Sequence, residues 1–317
     1  MFQIIKENTL IPFMKIKGIV EVICILGVVA SIVSMSYKGL NWGLDFTGGI
    51  VIETKYTDPM DLDDVREAYK KEGIEGVAQH FGTPRDVVIR VAPKDGLDQQ
   101  IVADKVMQAA KKLDPNARLS RSEYVGPSVG EELVESGLLA IVVSLIAILA
   151  YVAFRFEWRM ATGAVISLAY DVIIVMGVFS FWQIEYDLTV LAAVLTVVGY
   201  SLNDKIVVFD RIRENVSKLP QSLSMETLFD TSLTQTLSRT IITSGTTLIT
   251  VVSLLIFGGE IIFGFALALV VGIIFGTISS IYVASTWALL LKIERKNLIP
   301  IKVSKKGDEE DVREYID

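Results

Sequence analysis

Leu188–Asn215 reads LTVLAAVLTVVGYSLNDKIVVFDRIREN. Leu188 to Leu202 is uncharged and mostly apolar, the makings of a helix in lipid. Asn203, Asp204 and Lys205 then interrupt, and the chain turns apolar again at Ile206 to Phe209 before a charged loop is expected. A charge inside a bilayer costs about 2.5 to 3.5 kcal/mol on insertion scales, so it persists only with a partner or a use. Asp204 therefore needs one or the other.

The 317 residues are 51% hydrophobic, with a mean hydropathy of +0.50. Apolar residues gather in runs instead of spreading through the chain. A net charge of −7 excludes a broadly basic nucleic-acid binder. The single cysteine, Cys24, permits no internal disulfide and, inside an apolar run, is a packing residue. A single histidine, His80, read as a turn residue of the outer domain, argues against a histidine-rich metal site or a Ser–His–Asp triad. No Walker loop, G-x-S-x-G or H-E-x-x-H is present. The chain is therefore not read as an enzyme, and no cofactor or metal is expected.

Six spans emerge in order. The first, 16–36, is long enough to cross about 30 Å of hydrocarbon; its apolar core is too long for a signal peptide. The others are 137–154, 161–182, 187–209, 239–257 and 262–291. Between the first two lies a soluble stretch, 37–135. Ile50 to Tyr56 alternates as a strand. Asp61 to Glu72 reads as a helix, acidic at its start, with Gly73 as its stop. Gly76 to Phe81 and Asp86 to Ala92 read as a strand pair, Leu97 to Leu113 as an amphipathic helix, and Ala117 to Val125 as a last strand. The order β-α-β-β-α-β is that of a ferredoxin-like α+β domain. Fourth and fifth spans are joined by a loop, Arg211 to Ser238, holding an amphipathic segment at Met225 to Leu237. Lys and Arg mark residues 1–15, the turn after span two, the loop after span four and the tail 292–317, while the turns after spans three and five have neither. Both termini are thus expected in the cytoplasm and the soluble domain outside.

Arg239, at the entry to the fifth span, is the candidate partner for Asp204. Thr243, Thr246 and Thr250 follow it at helical spacing, and Thr189, Thr196, Tyr200 and Asn203 fall near one face of the fourth span. Two facing polar stripes would make a hydrated path. A carboxylate there can take up and release a proton, because burial favours its neutral form and a nearby arginine its charged form. On the residues alone, a proton relay and a salt bridge that merely orients two helices are both open. Counting from Asp187 puts Asp204 about 25 Å down a straight helix, nearer the cytoplasmic side than the midplane. Asp171 lies near the middle of the third span, too deep to snorkel, so it is protonated or paired and faces the bundle. The sixth span carries Gly264, Ala268, Gly272, Gly276, Ser280 and Ala284, a ladder for close helix packing against a neighbour in this chain or in a partner. Gly43–Gly49, GLDFTGG, packs three glycines into seven residues and implies a special turn. Its Asp45 would cap it or hold the domain to the membrane surface.

GLDFTGG after the first span, VGPSVGEEL at Val125–Leu133, GYSLNDKIVVFDRIREN at Gly199–Asn215 and QTLSRTIITS at Gln235–Ser244 resemble the SecF family, the smaller subunit of the bacterial SecD–SecF accessory translocase. The likeness covers nearly the whole chain. It implies a resistance–nodulation–division type of fold in the bacterial inner membrane, with a periplasmic ferredoxin-like domain. It implies SecD as heterodimer partner, association with the SecYEG channel and other small accessory subunits, and use of the proton-motive force to draw a preprotein outward. The resemblance gives Asp204 and Arg239 proton-relay roles, which Asn203 and Asp171 join from the polar pattern. The family often has a His–Asp pair in the third span; here it is Tyr170–Asp171, without the histidine. SecD would supply the opposing carboxylate. Gly43, Asp45, Gly48 and Gly49, with Gly126, Pro127 and Gly130, would be connectors between bundle and domain.

One charge crossing 100 mV supplies about 2.3 kcal/mol, enough to bias states a few kcal/mol apart. The competing readings are another proton-driven exporter of the same superfamily and a passive membrane anchor or assembly protein.

Overall fold

Six helices are long and apolar enough to cross a membrane, at Lys17–Lys38, Glu132–Arg155, Trp158–Trp182, Leu188–Lys218, Met225–Phe257 and Ile262–Leu290. They belong to a computed structural model that describes residues 9–92 and 98–298; most of the expected tail and the first eight residues lie outside it. We number the helices α1 (Lys17–Lys38), α2 (Leu44–Thr47), α3 (Leu62–Lys71), α4 (Gln99–Leu113), α5 (Pro127–Arg155), α6 (Trp158–Trp182), α7 (Leu188–Lys218), α8 (Met225–Phe257), α9 (Glu260–Ile281) and α10 (Val283–Leu290). The strands are β1 (Asn41–Trp42), β2 (Gly49–Lys55), β3 (Val77–Phe81), β4 (Thr83–Val91), β5 (Arg118–Val125) and β6 (Glu185–Tyr186).

Between α1 and α5 stands an α+β domain. Its sheet runs β3-β4-β2-β5, every neighbouring pair antiparallel. Asp61 and Asp98 cap α3 and α4 by accepting from the backbone N–H of Asp63 and Gln100, an ordinary N-terminal device. The alternation of β2 turns Ile50 and Ile52 into the core beside Val65, Tyr69 and Val106 of the two helices, and sends Val51 and Glu53 to the face without helices. Burial pushes the Tyr56 and Tyr69 phenols up; their hydroxyls satisfy one another and Thr54 inside the core. His80 lies on β3, not in a turn.

In the bundle α6 and α7 are central, and α1 and α5 lie outside. Ile19, Ile23, Leu26 and Leu139 of the outer pair point their apolar side chains outward, as a helix in lipid does. Cys24 is a buried free thiol packed against Tyr170 and Ile174. The small-residue ladder of the last span faces α7 of the same chain. A Cβ at Gly272 would lie 2.2 Å from Val197, and one at Gly276 3.0 Å from Ser201. That span is interrupted at Tyr282, between α9 and α10.

One expectation fails between the fourth and fifth spans. Residues 211–238 do not form a loop: α7 continues to Lys218 and α8 begins at Met225. The amphipathic Met225–Leu237 segment is the first part of α8. Both helices extend because Phe209, Ile212 and Val216 pack with Leu228, Phe229 and Leu233, joined by Phe13, Phe156 and Ile293. Asn215 Nδ2 seals the pair by donating to Ser232 Oγ and Gln235 Oε1, both at 2.8 Å. Charges on the outer face of α7 pair along the helix, as Arg211–Glu214 and Lys218–Glu214.

Candidate functional site

α7 is held at its two ends and loaded in the middle. At its start the GLDFTGG segment forms a clasp. β1 pairs in parallel with β6, Asn41 opposite Glu185 and Trp42 opposite Tyr186. Gly43 donates its N–H to Tyr186 O at 2.8 Å, and a Cβ on Gly43 would meet Asp187 at 2.9 Å. Asp45 Oδ2 accepts from the N–H of Leu188 at 3.1 Å, while Asp187 accepts from Val190 N–H at 2.8 Å. Two carboxylates therefore serve the N-terminus of one helix, where anionic groups are favourable. Gly48 and Gly49 have φ of 64° and 114°, conformations that glycine adopts without strain; they turn the chain from α2 into β2.

The domain is tied to this clasp by Arg90 of β4. Its guanidinium lies 2.5 Å from Glu185 and donates to Asn41 Oδ1 and Trp42 O. Burial raises the Glu185 carboxyl against the pull of Arg90, and burial likewise pushes the Tyr186 phenol up to about 12. On the other connector, Gly126 is the only residue between β5 and α5, with Pro127 at the start of the helix. Gly130 already lies within α5.

Halfway down the bundle, one turn of α7 carries charges to opposite sides. Lys205 and Asp171 of α6 are both fully buried and lie 3.0 Å apart. Ser201, one turn above Lys205, donates to the same Asp171 Oδ2 at 2.5 Å. Lys205 Nζ also meets Ser201 Oγ. The Asp171 Oδ1 atom is buried with no partner among the described residues. Gly276 of α9 leaves room for this cluster, since its missing Cβ would fall against Ser201 and 3.8 Å from Asp171 Oδ2.

Asp204 points elsewhere. It is 4% exposed, and among the described residues its side chain has one hydrogen-bond contact, with Ser244 Oγ of α8, long at 3.5 Å. Thr277 of α9 in turn donates to Ser244 Oγ at 3.1 Å. Arg239 and Asn203 are exposed, and Arg239 makes no ion pair with Asp204. Thr189, Thr196, Thr246 and Thr250 are exposed too, so the two polar stripes lie on an outer face of the chain. Tyr200 of the α7 stripe donates to Thr247 of α8 at 3.3 Å.

The structure thus brings Asp171 to Lys205, a residue to which the sequence reading gave no role, and sets Asp204 near Ser244. Ser201, Ser244 and Thr277 were also missed. The available signal was the i, i+4 spacing of Ser201 and Lys205, which puts both on one face, together with a lone acid in the preceding span. Tyr170, the neighbour of Asp171, turns to Cys24 and Ile174 of the α1–α6 contact and not to the charged cluster. Among the described residues no group of three or more His, Cys, Asp or Glu could hold a metal ion.

Two family models match the chain. "Protein export membrane protein SecD/SecF, C-terminal" covers residues 105–294, and "SecD/SecF GG Motif" covers 33–60, the latter enclosing the clasp. The protein translocase subunit SecF of Vibrio alginolyticus is 51% identical over 98% of this chain and 99% of its own. SecF of Escherichia coli O157:H7 is 48% identical over 88% and 87%. Among solved structures, SecDF of Thermus thermophilus, described as a translocon-associated membrane protein, superposes with a TM-score of 0.82 at 35% identity over 92% of this chain. The chain spans 40% of the length of that one.

Proposed function

This chain belongs to the SecF family of protein translocase subunits, and on that premise we propose that it is an accessory subunit, not an enzyme, through which the proton-motive force assists preprotein export across the bacterial inner membrane. It works with SecD as heterodimer partner and with the SecYEG channel. The observation that carries the mechanism is the placement of Asp204: a carboxylate buried inside a span, with one weak hydrogen bond, beside an outer face bearing Asn203 and Arg239. Polar side chains on a lipid-facing surface are costly, which supports reading that face as the one SecD covers. SecD then completes a proton path in which Asp204 carries the proton, Arg239 and Asn203 line the way, and the Asp171–Lys205 pair lies behind it on the other side of the same turn of α7.

Coupling runs along α7. A shift of this helix on proton uptake reaches Leu188, Asp187 and the clasp, and from there passes through Arg90 to the sheet. Gly43, Asp45, Gly48 and Gly49 form that connector; Gly126, Pro127 and Gly130 form the second, where β5 enters α5 with one residue between. We read the domain as ferredoxin-like and periplasmic, supported by its β-α-β-β-α-β element order and sheet order β3-β4-β2-β5. Lys and Arg in the turns on the other side support cytoplasmic termini.

Asp204→Asn tests the reading. It should abolish proton-dependent stimulation of secretion while the protein still inserts and copurifies with SecD. Normal stimulation in that variant would sink the proposal.

A further inference from the structure

Between the open face of the sheet and the membrane-side clasp lies a cleft of about 800 Å³. One wall is the face of β2–β5 that no helix covers; the other is the β6 turn and the start of α7. Five carboxylates line it, at Asp45, Glu53, Glu123, Glu185 and Asp187, against the one guanidinium of Arg121. Four of the five are engaged. Asp45 and Asp187 cap α7, Glu185 meets Arg90, and Glu123 pairs with Arg121 at 2.7 Å. Glu53 is different. It sits at the centre of the sheet, opposite Val88 on one side and Arg121 on the other. It is only 9% exposed, and no donor within the described chain reaches it. Its carboxylate end opens into the acidic cleft, where no group of the described chain already holds it.

We propose that this cleft is a binding site for an extended, lysine- or arginine-bearing segment of polypeptide, with the cationic head on Glu53 and its stem along Val51 and Val88. The excess of carboxylates selects a cation, and apolar strand positions suit the aliphatic stem that carries it. That the segment belongs to the translocating preprotein rests on the export reading above; cationic-peptide binding does not. Because the two walls belong to the domain and to the start of α7, an occupant bridges the parts that the proton step would move.

The test uses the full chain with its SecD partner in phosphatidylcholine nanodiscs and a fluorescent, unstructured peptide rich in lysine, followed by anisotropy. Matched peptides carry glutamine or glutamate in place of lysine. The lysine peptide should bind about tenfold more tightly than the glutamine one, and Glu53→Gln should remove about fivefold to tenfold of that preference. An unchanged melting temperature would show that the variant is folded. Gln79→Cys, on the cleft wall, should exchange with a lysine peptide carrying an activated mixed disulfide, releasing the activating thiol and reporting occupancy without altering Glu53. Equal binding of lysine and glutamine peptides, or no effect of Glu53→Gln, overturns the site. So does loss of peptide binding in phosphatidylethanolamine nanodiscs, which would give the cation site to a lipid headgroup. Asp204→Asn should bind the peptide as wild type does. If it also kept proton-stimulated export, the relay would fail while the peptide site stood.

Discussion

Two sides of one turn of α7 treat their charges in opposite ways. Toward α6 and α9, Lys205 and Asp171 are wholly enclosed, 3.0 Å apart, with Ser201 completing the cluster. Toward α8, Asp204 has one long contact to Ser244, and the surface beside it, with Asn203 and Arg239, is open. The closed side pairs its two charges within the chain, with only the Asp171 Oδ1 atom of that pair left without a partner among the described residues. The open side pairs nothing with Asp204 beyond Ser244 among the described residues. Burial is not what separates the two carboxylates, since both are buried; partnership is.

The closed side should be the more fragile. Lys205→Met leaves Asp171 buried without its cation, a loss of about 3 to 5 kcal/mol for a broken buried pair. Thermal unfolding in detergent should show a large drop for this variant. Adding Asp171→Asn should recover most of it, because removing both charges of such a pair is often nearly neutral. A single variant that melted like wild type would erase the distinction between the sides.

Next in size is the contact that seals the closed side. Gly272→Ala would place a methyl 2.2 Å from Val197, whose branched side chain has little freedom to move. Overpacking of this kind costs about 1 to 3 kcal/mol. Gly276→Ala, with 3.0 Å to Ser201, should cost less but disturb the Asp171 cluster. Thermal melts of the two, ranked in that order, would locate the tightest point of the α7–α9 seam.

Much of this architecture was legible in the sequence. Run length gave six spans, and the change from a helical to a strand period gave the order of elements in the domain. The α7–α8 junction was misread because its charges suggested solvent. The apolar positions Phe209, Ile212 and Val216, three and then four residues apart, are incomplete as a stripe until Leu228 and Leu233 pack on them. The same limit applies to Lys205. Next to Asp204 in sequence it looked like part of one interruption, but adjacent residues on a helix point about 100° apart. They serve different neighbours, and only the packing of α6 says which. Arg239 was read as the partner of Asp204 from its place at the entry to the fifth span, whereas its side chain is exposed and makes no ion pair with Asp204.

The open side should tolerate change in stability and not in function. Asp204→Asn keeps the shape and the Ser244 contact, and Arg239→Ala removes an exposed side chain. Asp204→Asn, which removes a buried charge held by one long contact, should not destabilise the isolated chain, and Arg239→Ala should shift its stability by no more than about 0.5 kcal/mol. Proton-stimulated export should be lost in the first and reduced in the second. A large destabilisation by Arg239→Ala in the isolated chain would mean that the arginine is already part of a closed structure. The contrast between the two faces would then fail.

The smallest effect lies at the outer end of the same helix and calibrates the comparison. Glu185 has what Asp204 lacks, an arginine at 2.5 Å. Burial nevertheless raises its carboxyl above the ordinary value of 4.5, with Arg90 pulling the other way. The raised value fixes the sign: protonation favours the folded form, so the contribution of Glu185 is fully present below 4.5 and is lost as the pH rises through the raised value. Glu185→Gln should flatten that fall in a melting-temperature profile taken across the weakly acid range. Arg90 would keep Asn41 Oδ1 and Trp42 O as acceptors, so the clasp should survive. A profile unchanged by the substitution would mean that an arginine in contact fully offsets burial here. A flattened one would mean that even direct contact falls short, which bears on how much Arg239, outside ion-pair reach of Asp204, can do before a partner covers the open face.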